Sequence, residues 1–173
     1  MKYKIILGMW VITNIFLHAI QGYAQETDLG KFGNWQAVSF MENGKKGCFI
    51  HSDASKVEKT DPARNRVYLL VTHRPADNTF DTVSFVAGYS YKTGSEALIE
   101  IEKGEKFNFF TQEDKAWAKD SATDKKIVQA MKKASSLSIT GTNDKNVKTK
   151  DSYSLNGFGK AYAAMSKACN VQP

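Results

Sequence analysis

Hydrophobic and polar positions alternate in short blocks along most of this chain, with a period of two. Trp35 to Phe40 is the first clear case, placing Trp35, Ala37 and Ser39 on one face and Val38 and Phe40 on the other. Asn43-Gly44 marks a hairpin turn, and Gly47 to Ser52 returns with Cys48 and Ile50 on a shared face. Val67 to Arg74 is apolar on both faces, as expected of a central strand between two layers. Thr82–Gly88, Ala97–Glu102 and Lys106–Thr111 alternate in the same way, as do 136–140 and 147–155 further on. The polar, basic run Ser55 to Arg66 is expected to be a surface loop.

Two stretches change period. After the short apolar island Ala116-Trp117-Ala118, Ile127, Met131 and Ala134 recur at helical spacing, and Ser121 with Asp124 has the spacing of a capping box. Near the C-terminus Asn156-Gly157 makes a turn, and Phe158, Tyr162, Met165 and Cys169 then lie on one helical stripe. The pattern predicts a mainly β fold of about eight antiparallel strands, a sandwich or partly open barrel, with two α-helices packed on it. Truncation before Phe158 is expected to cost the fold.

The first 24 residues stand apart. Lys2 and Lys4 precede the apolar run from Ile5, and Gly22-Tyr-Ala24 offers a small-residue cleavage site. Asn14 and His18 interrupt the run below the roughly 20 apolar residues of a membrane span, so a cleaved signal peptide, 1–24, is expected. Residues 25–173 then form a single domain of an exported protein, in the periplasm or at the outer surface. Removing Lys2 and Lys4 leaves 22 basic against 18 acidic residues. That is mildly basic and short of a nucleic-acid footprint.

Export bears on the cysteines. Cys48 and Cys169 are the only two, so a disulfide has one possible pairing; the alternative is two separate thiols. Joined, they would contribute roughly 5 kcal/mol on a loop-entropy estimate.

Chemistry is sparse. There is no Gly-x-Ser-x-Gly elbow, His-Glu-x-x-His or phosphate-binding loop, and no zinc or calcium spacing, so no enzyme, metal or cofactor is expected. His73, beside Arg74 and near Asp77 and Asp81, is better read as a strand-end histidine bonded to solvent or backbone than as a catalytic base. Lys125, Lys126, Lys132 and Lys133 on the first helix, with Lys145, Lys148 and Lys150 on a hairpin, suggest a basic patch for weak contact with anionic glycans or lipids. A solvated helix face beside a lysine-protected edge strand is the competing and preferred reading. A cavity lined by Trp35, Phe107 and Trp117 would instead suit a periplasmic small-ligand binder or envelope-maintenance protein without host contact.

Four blocks occur in order: Val67–Pro75, Phe85–Tyr89, Ala116–Asp120 and Ser152–Phe158. With Trp35 and the two cysteines they resemble the invasion-associated locus B family of Gram-negative, mainly alphaproteobacterial, proteins. The resemblance covers nearly all of the mature chain. It implies export and a part in host-cell invasion or adhesion, the family's founding members being associated with Bartonella entry into red cells. The implied partner is a host-cell surface or envelope component, and no site residues carry over.

Overall fold

The computed structural model describes residues 25–58, 64–102 and 104–172; the expected signal peptide lies outside them. Ten strands form one antiparallel sheet: β1 Gln25–Phe32, β2 Trp35–Glu42, β3 Lys45–Asp53, β4 Tyr68–Arg74, β5 Thr79–Val86, β6 Glu96–Ile101, β7 Lys106–Gln112, β8 Lys115–Trp117, β9 Ser136–Thr142 and β10 Lys148–Ser154. Helix α1, Ser121–Met131, follows β8, and α2, Phe158–Ala168, follows β10. Neighbours in the sheet run β1-β2-β3-β4-β5-β8-β7-β6-β9-β10.

The eight expected strands are present, and two more join them. β1 is polar and largely exposed, an edge strand held to β2 by backbone bonds, so its side chains carry no alternation to read. β8 is three residues long, too short for a period to register. A further correction concerns β4. Leu69, Val71 and His73 are buried, while Tyr68, Leu70 and Thr72 are only half-buried, so one face meets the core and the other is only partly covered.

The sheet curls so that its far ends meet without a continuous ladder. Just past β3, Lys56 forms an isolated bridge with Ser152 of β10, and Trp35 donates its indole N–H to the Ser154 carbonyl at 3.1 Å. Phe85 of β5 meets Tyr153 of β10 edge-on across the interior. The inward residues of all this curvature make one core.

Helix α2 closes the β1–β3 end. Phe158, Tyr162, Met165 and Cys169 are all buried, and the Cys48–Cys169 disulfide is formed, with Cα atoms 6.0 Å apart. The turn into α2 is built for close approach. A Cβ on Gly157, at φ +90°, would lie 1.9 Å from the Phe32 carbonyl oxygen, so the β1–β2 turn and the helix start touch backbone to backbone.

The expected surface loop 55–66 is also only partly that. The Arg64 guanidinium makes a two-pronged pair with Asp151, at 2.7 and 2.8 Å, and both side chains are almost wholly buried. It also donates to the Ala87 carbonyl and lies over the Tyr89 ring. A polar run hid this anchor, because pairing satisfies a charge that would otherwise keep arginine in water.

Candidate functional site

Helix α1 is the element with open ground on both sides, and its placement starts from its N-terminus. Asp120 is the cap, its carboxylate accepting from the Thr123 N–H at 2.7 Å. The capping box expected at Ser121 and Asp124 is therefore shifted, and Asp124 has another task. On β5, β8 pairs with Ser84–Val86, leaving the neighbouring Val83 N–H beyond its reach. Asp124 accepts that N–H at 2.9 Å and so ties helix to sheet. It is 7% exposed, and burial pushes its pKa up to about 6, against the favourable Val83 bond and with help from Asp81 and Asp120.

On one side of α1 lies a groove of about 1000 Å³, bounded by the β4–β5 turn and the C-terminal tail. Asp81, Asp120, Asp124 and Tyr162 line it, giving it an acidic character that Lys125 only partly offsets. Asp81 sits at φ +59°, a left-handed conformation that aspartate tolerates, and its carboxylate accepts from the Tyr162 hydroxyl at 2.5 Å.

Beneath this groove His73, Ser166 and Asp81 have the composition of a catalytic triad. Their geometry does not perform its chemistry. The Asp81 backbone N–H donates to His73 Nδ1 at 3.1 Å, so the neutral ring carries its proton on Nε2, which faces Ser166 Oγ at 3.3 Å. A serine nucleophile needs the opposite tautomer, with Nε2 free to accept and Nδ1–H held by the carboxylate. His73 and Ser166 are also 0% exposed, and burial lowers the histidine pKa, keeping it neutral. His73 is thus a buried packing residue bonded to backbone. Arg74 and Asp77 turn elsewhere, to Glu42 and Lys45.

On the other side of α1, against β7, is a trough of about 580 Å³ with a mainly hydrocarbon surface. Phe107, Ala122 and Ala130 form its floor, and Lys125, Lys126 and Lys133 stand around it with Glu105 and Gln129. Helix α1 ends at Met131, so Lys132 is its C-cap and Lys133 follows it; Lys132 points over the Tyr162 ring, 3.9 Å from its centroid. Lys148 and Lys150 line a separate shallow depression with Glu58 and Glu100, and Lys150 pairs with Glu100 at 3.0 Å. Two lysines, Lys106 and Lys150, hold the Glu100 carboxyl down at about 2. Lys145 lies in the β9–β10 turn, its backbone bonded to the Asn143 side chain. Lys125 and Lys126 of α1 and Lys133 just past it therefore share one trough, and none of the hairpin lysines lines it.

The three aromatics expected around a ligand cavity lie apart. Trp35 is fully buried against Phe158, Phe107 is in the trough, and Trp117 stacks on the half-exposed Phe110. Among the described residues, no three of His, Cys, Asp and Glu converge as metal ligands.

The family model for invasion associated locus B (IalB) protein matches residues 35–166. This chain belongs to the IalB family. A crystal structure of invasion associated protein B from Bartonella henselae shares its fold, with a TM-score of 0.60 and 18% identity over 86% of this chain and 98% of that one. No curated protein sequence matches it. In this IalB protein the matched span runs from Trp35 through most of α2 and includes the whole trough beside α1, while the acidic groove also draws on Asn170, Val171 and Gln172 beyond it.

Sequence reasoning missed the acidic groove and the Arg64–Asp151 pair. Asp81, Asp120 and Asp124 come from a strand, a cap and a helix, so no spacing announces them. The clue available for Asp124 was its position between Thr123 and Ile127, toward the inward stripe of α1.

Proposed function

We propose that this IalB protein is a non-enzymatic, exported envelope protein that supports host-cell adhesion or invasion, with red cells as the setting. It works by surface contact. The family match over residues 35–166 carries the reading. The sealed, wrongly protonated His73–Ser166 pair supports a non-catalytic role. The His73, Ser166 and Asp81 trio instead joins β4, β5 and α2. The partner would be a host-cell surface or envelope component, met in part through anionic glycan or lipid groups.

Cell fractionation with protease applied to intact bacteria tests this. Surface exposure or release into the medium, with reduced red-cell entry by a deletion strain, is the expected outcome. Full shielding in the periplasm with normal entry would contradict it. A second reading, a periplasmic small-ligand binder, is favoured by the groove between α1 and the C-terminal tail, whose 1000 Å³ reaches the size of small-molecule sites. Its acidic lining would select a cationic ligand.

A further inference from the structure

We infer that the trough between α1 and β7 seats an anionic lipid at a membrane surface. The acyl part lies on Phe107, Ala122 and Ala130, and the headgroup sits among Lys125, Lys126 and Lys133. The inference deepens the proposed function and rests on it for setting, since export brings the protein within reach of a bilayer.

Charge is the first argument. Lys45, Lys106, Lys115 and Lys150 each have a carboxylate within 4.0 Å. Among the described residues no such pair involves Lys125, Lys126 or Lys133, so three ammonium groups border one trough without a carboxylate in direct contact, Lys125 also bordering the acidic groove. Glu105 is the single carboxylate in the lining.

The ground between those charges is the second. A merely solvated helix face would set its lysines over polar surface. Here the exposed Ala122 and the half-buried Phe107 leave hydrocarbon facing water, and lysine stems add apolar walls beneath their charged ends. Such a surface suits a molecule with an apolar chain and one anionic end. Lysine favours this use, because its ammonium is a point charge that demands no fixed planar partner. An acidic peptide would bring many amides, and the lining offers only Gln129 and Glu105 besides lysine to meet them.

Orientation favours the same seat. The acidic groove adjoins the trough across the outer ridge of α1, Ala122, Lys125 and Gln129, which borders both, so the lining passes from carboxylates to lysines over one helix. Near an anionic bilayer this turns the trough toward the membrane and Asp81, Asp120 and Asp124 away from it.

Co-sedimentation of the purified, disulfide-intact mature protein with vesicles of equal parts phosphatidylglycerol and phosphatidylcholine tests the site directly. Binding is expected there and not to pure phosphatidylcholine. The double variant Lys126→Glu/Lys133→Glu should weaken it about tenfold or more, since each lysine near the surface contributes appreciably. Ala122→Asp, an exposed change in the first turn of α1, should weaken it several-fold without unfolding the protein, which far-UV circular dichroism checks. Lys148→Glu, outside the trough, should change binding less than twofold. An equal loss in Lys148→Glu would mean general basicity and overturn the site. So would unchanged binding in both trough variants, or displacement of the protein from vesicles by a short acidic, apolar peptide at matched ionic strength. Absence of vesicle binding would sink the lipid site and leave the protease and entry results to judge the proposed function separately.

Discussion

The two helices of this IalB protein are both eleven residues long, yet they are held in different ways. Helix α2 lies on β1–β3 with four large or sulfur-bearing side chains buried in a row and a disulfide at its C-terminus. Asn170 then ends it in a left-handed turn, with the Val171 N–H returning to the Ser166 carbonyl. Helix α1 buries Ile127, Val128 and Met131 but adds a charged tie, Asp124 to Val83, and leaves a depression on each flank. The difference separates two tasks. One helix closes the core, and the other presents chemistry to the outside.

The largest expected effect breaks the α2 side. Replacing Cys48 and Cys169 together by alanine removes a cross-link spanning 121 residues and should cost about 3–5 kcal/mol in urea unfolding. A loss below about 1 kcal/mol would make the two helices equivalent as anchors. Close behind is Asp151→Ala, which leaves Arg64 buried without its partner and should cost about 3 kcal/mol, away from either helix.

Asp124→Asn sharpens the α1 side, because asparagine keeps an acceptor for Val83 while removing the charge. The Asp124 pKa is raised from 3.8 to about 6 in the fold. Its stabilising share is therefore present below pH about 4 and lost as pH rises through about 6. The variant should match the wild type at pH 4 and exceed it by about 2 kcal/mol at pH 7. Working with the difference between proteins cancels His73, whose lowered pKa acts in the opposite sense. A difference independent of pH would remove the account of Asp124 as a strained, buried carboxylate. The smallest effect belongs to the cap. Asp120→Ala should cost about 1 kcal/mol and loosen the first turn of α1, visible as faster amide exchange at Thr123.

How far each region could be read beforehand follows from its physics. The stripe Phe158, Tyr162, Met165 and Cys169 was legible because a helix repeats its buried face at fixed spacing. Cys48 and Ile50 shared a face for the same kind of reason, and the disulfide pairing followed from there being two cysteines. β1 was not legible, since an exposed edge strand is specified by backbone pairing to β2. Arg64 and Asp151 stand 87 residues apart, and only the curl of the sheet brings them together. The lysines of α1 were visible as a group, but the hydrocarbon between three of them depends on Phe107 arriving from β7. Periodicity reveals which way a side chain points. It does not reveal which distant element it will meet.

The division between a closing helix and a presenting helix is tested most directly by amide hydrogen exchange on the intact protein, with and without the anionic vesicles. The account predicts added protection in α1 and β7, with α2 already slow and unchanged. Protection gained at α2 or at the β9–β10 hairpin, with none at α1, would contradict it.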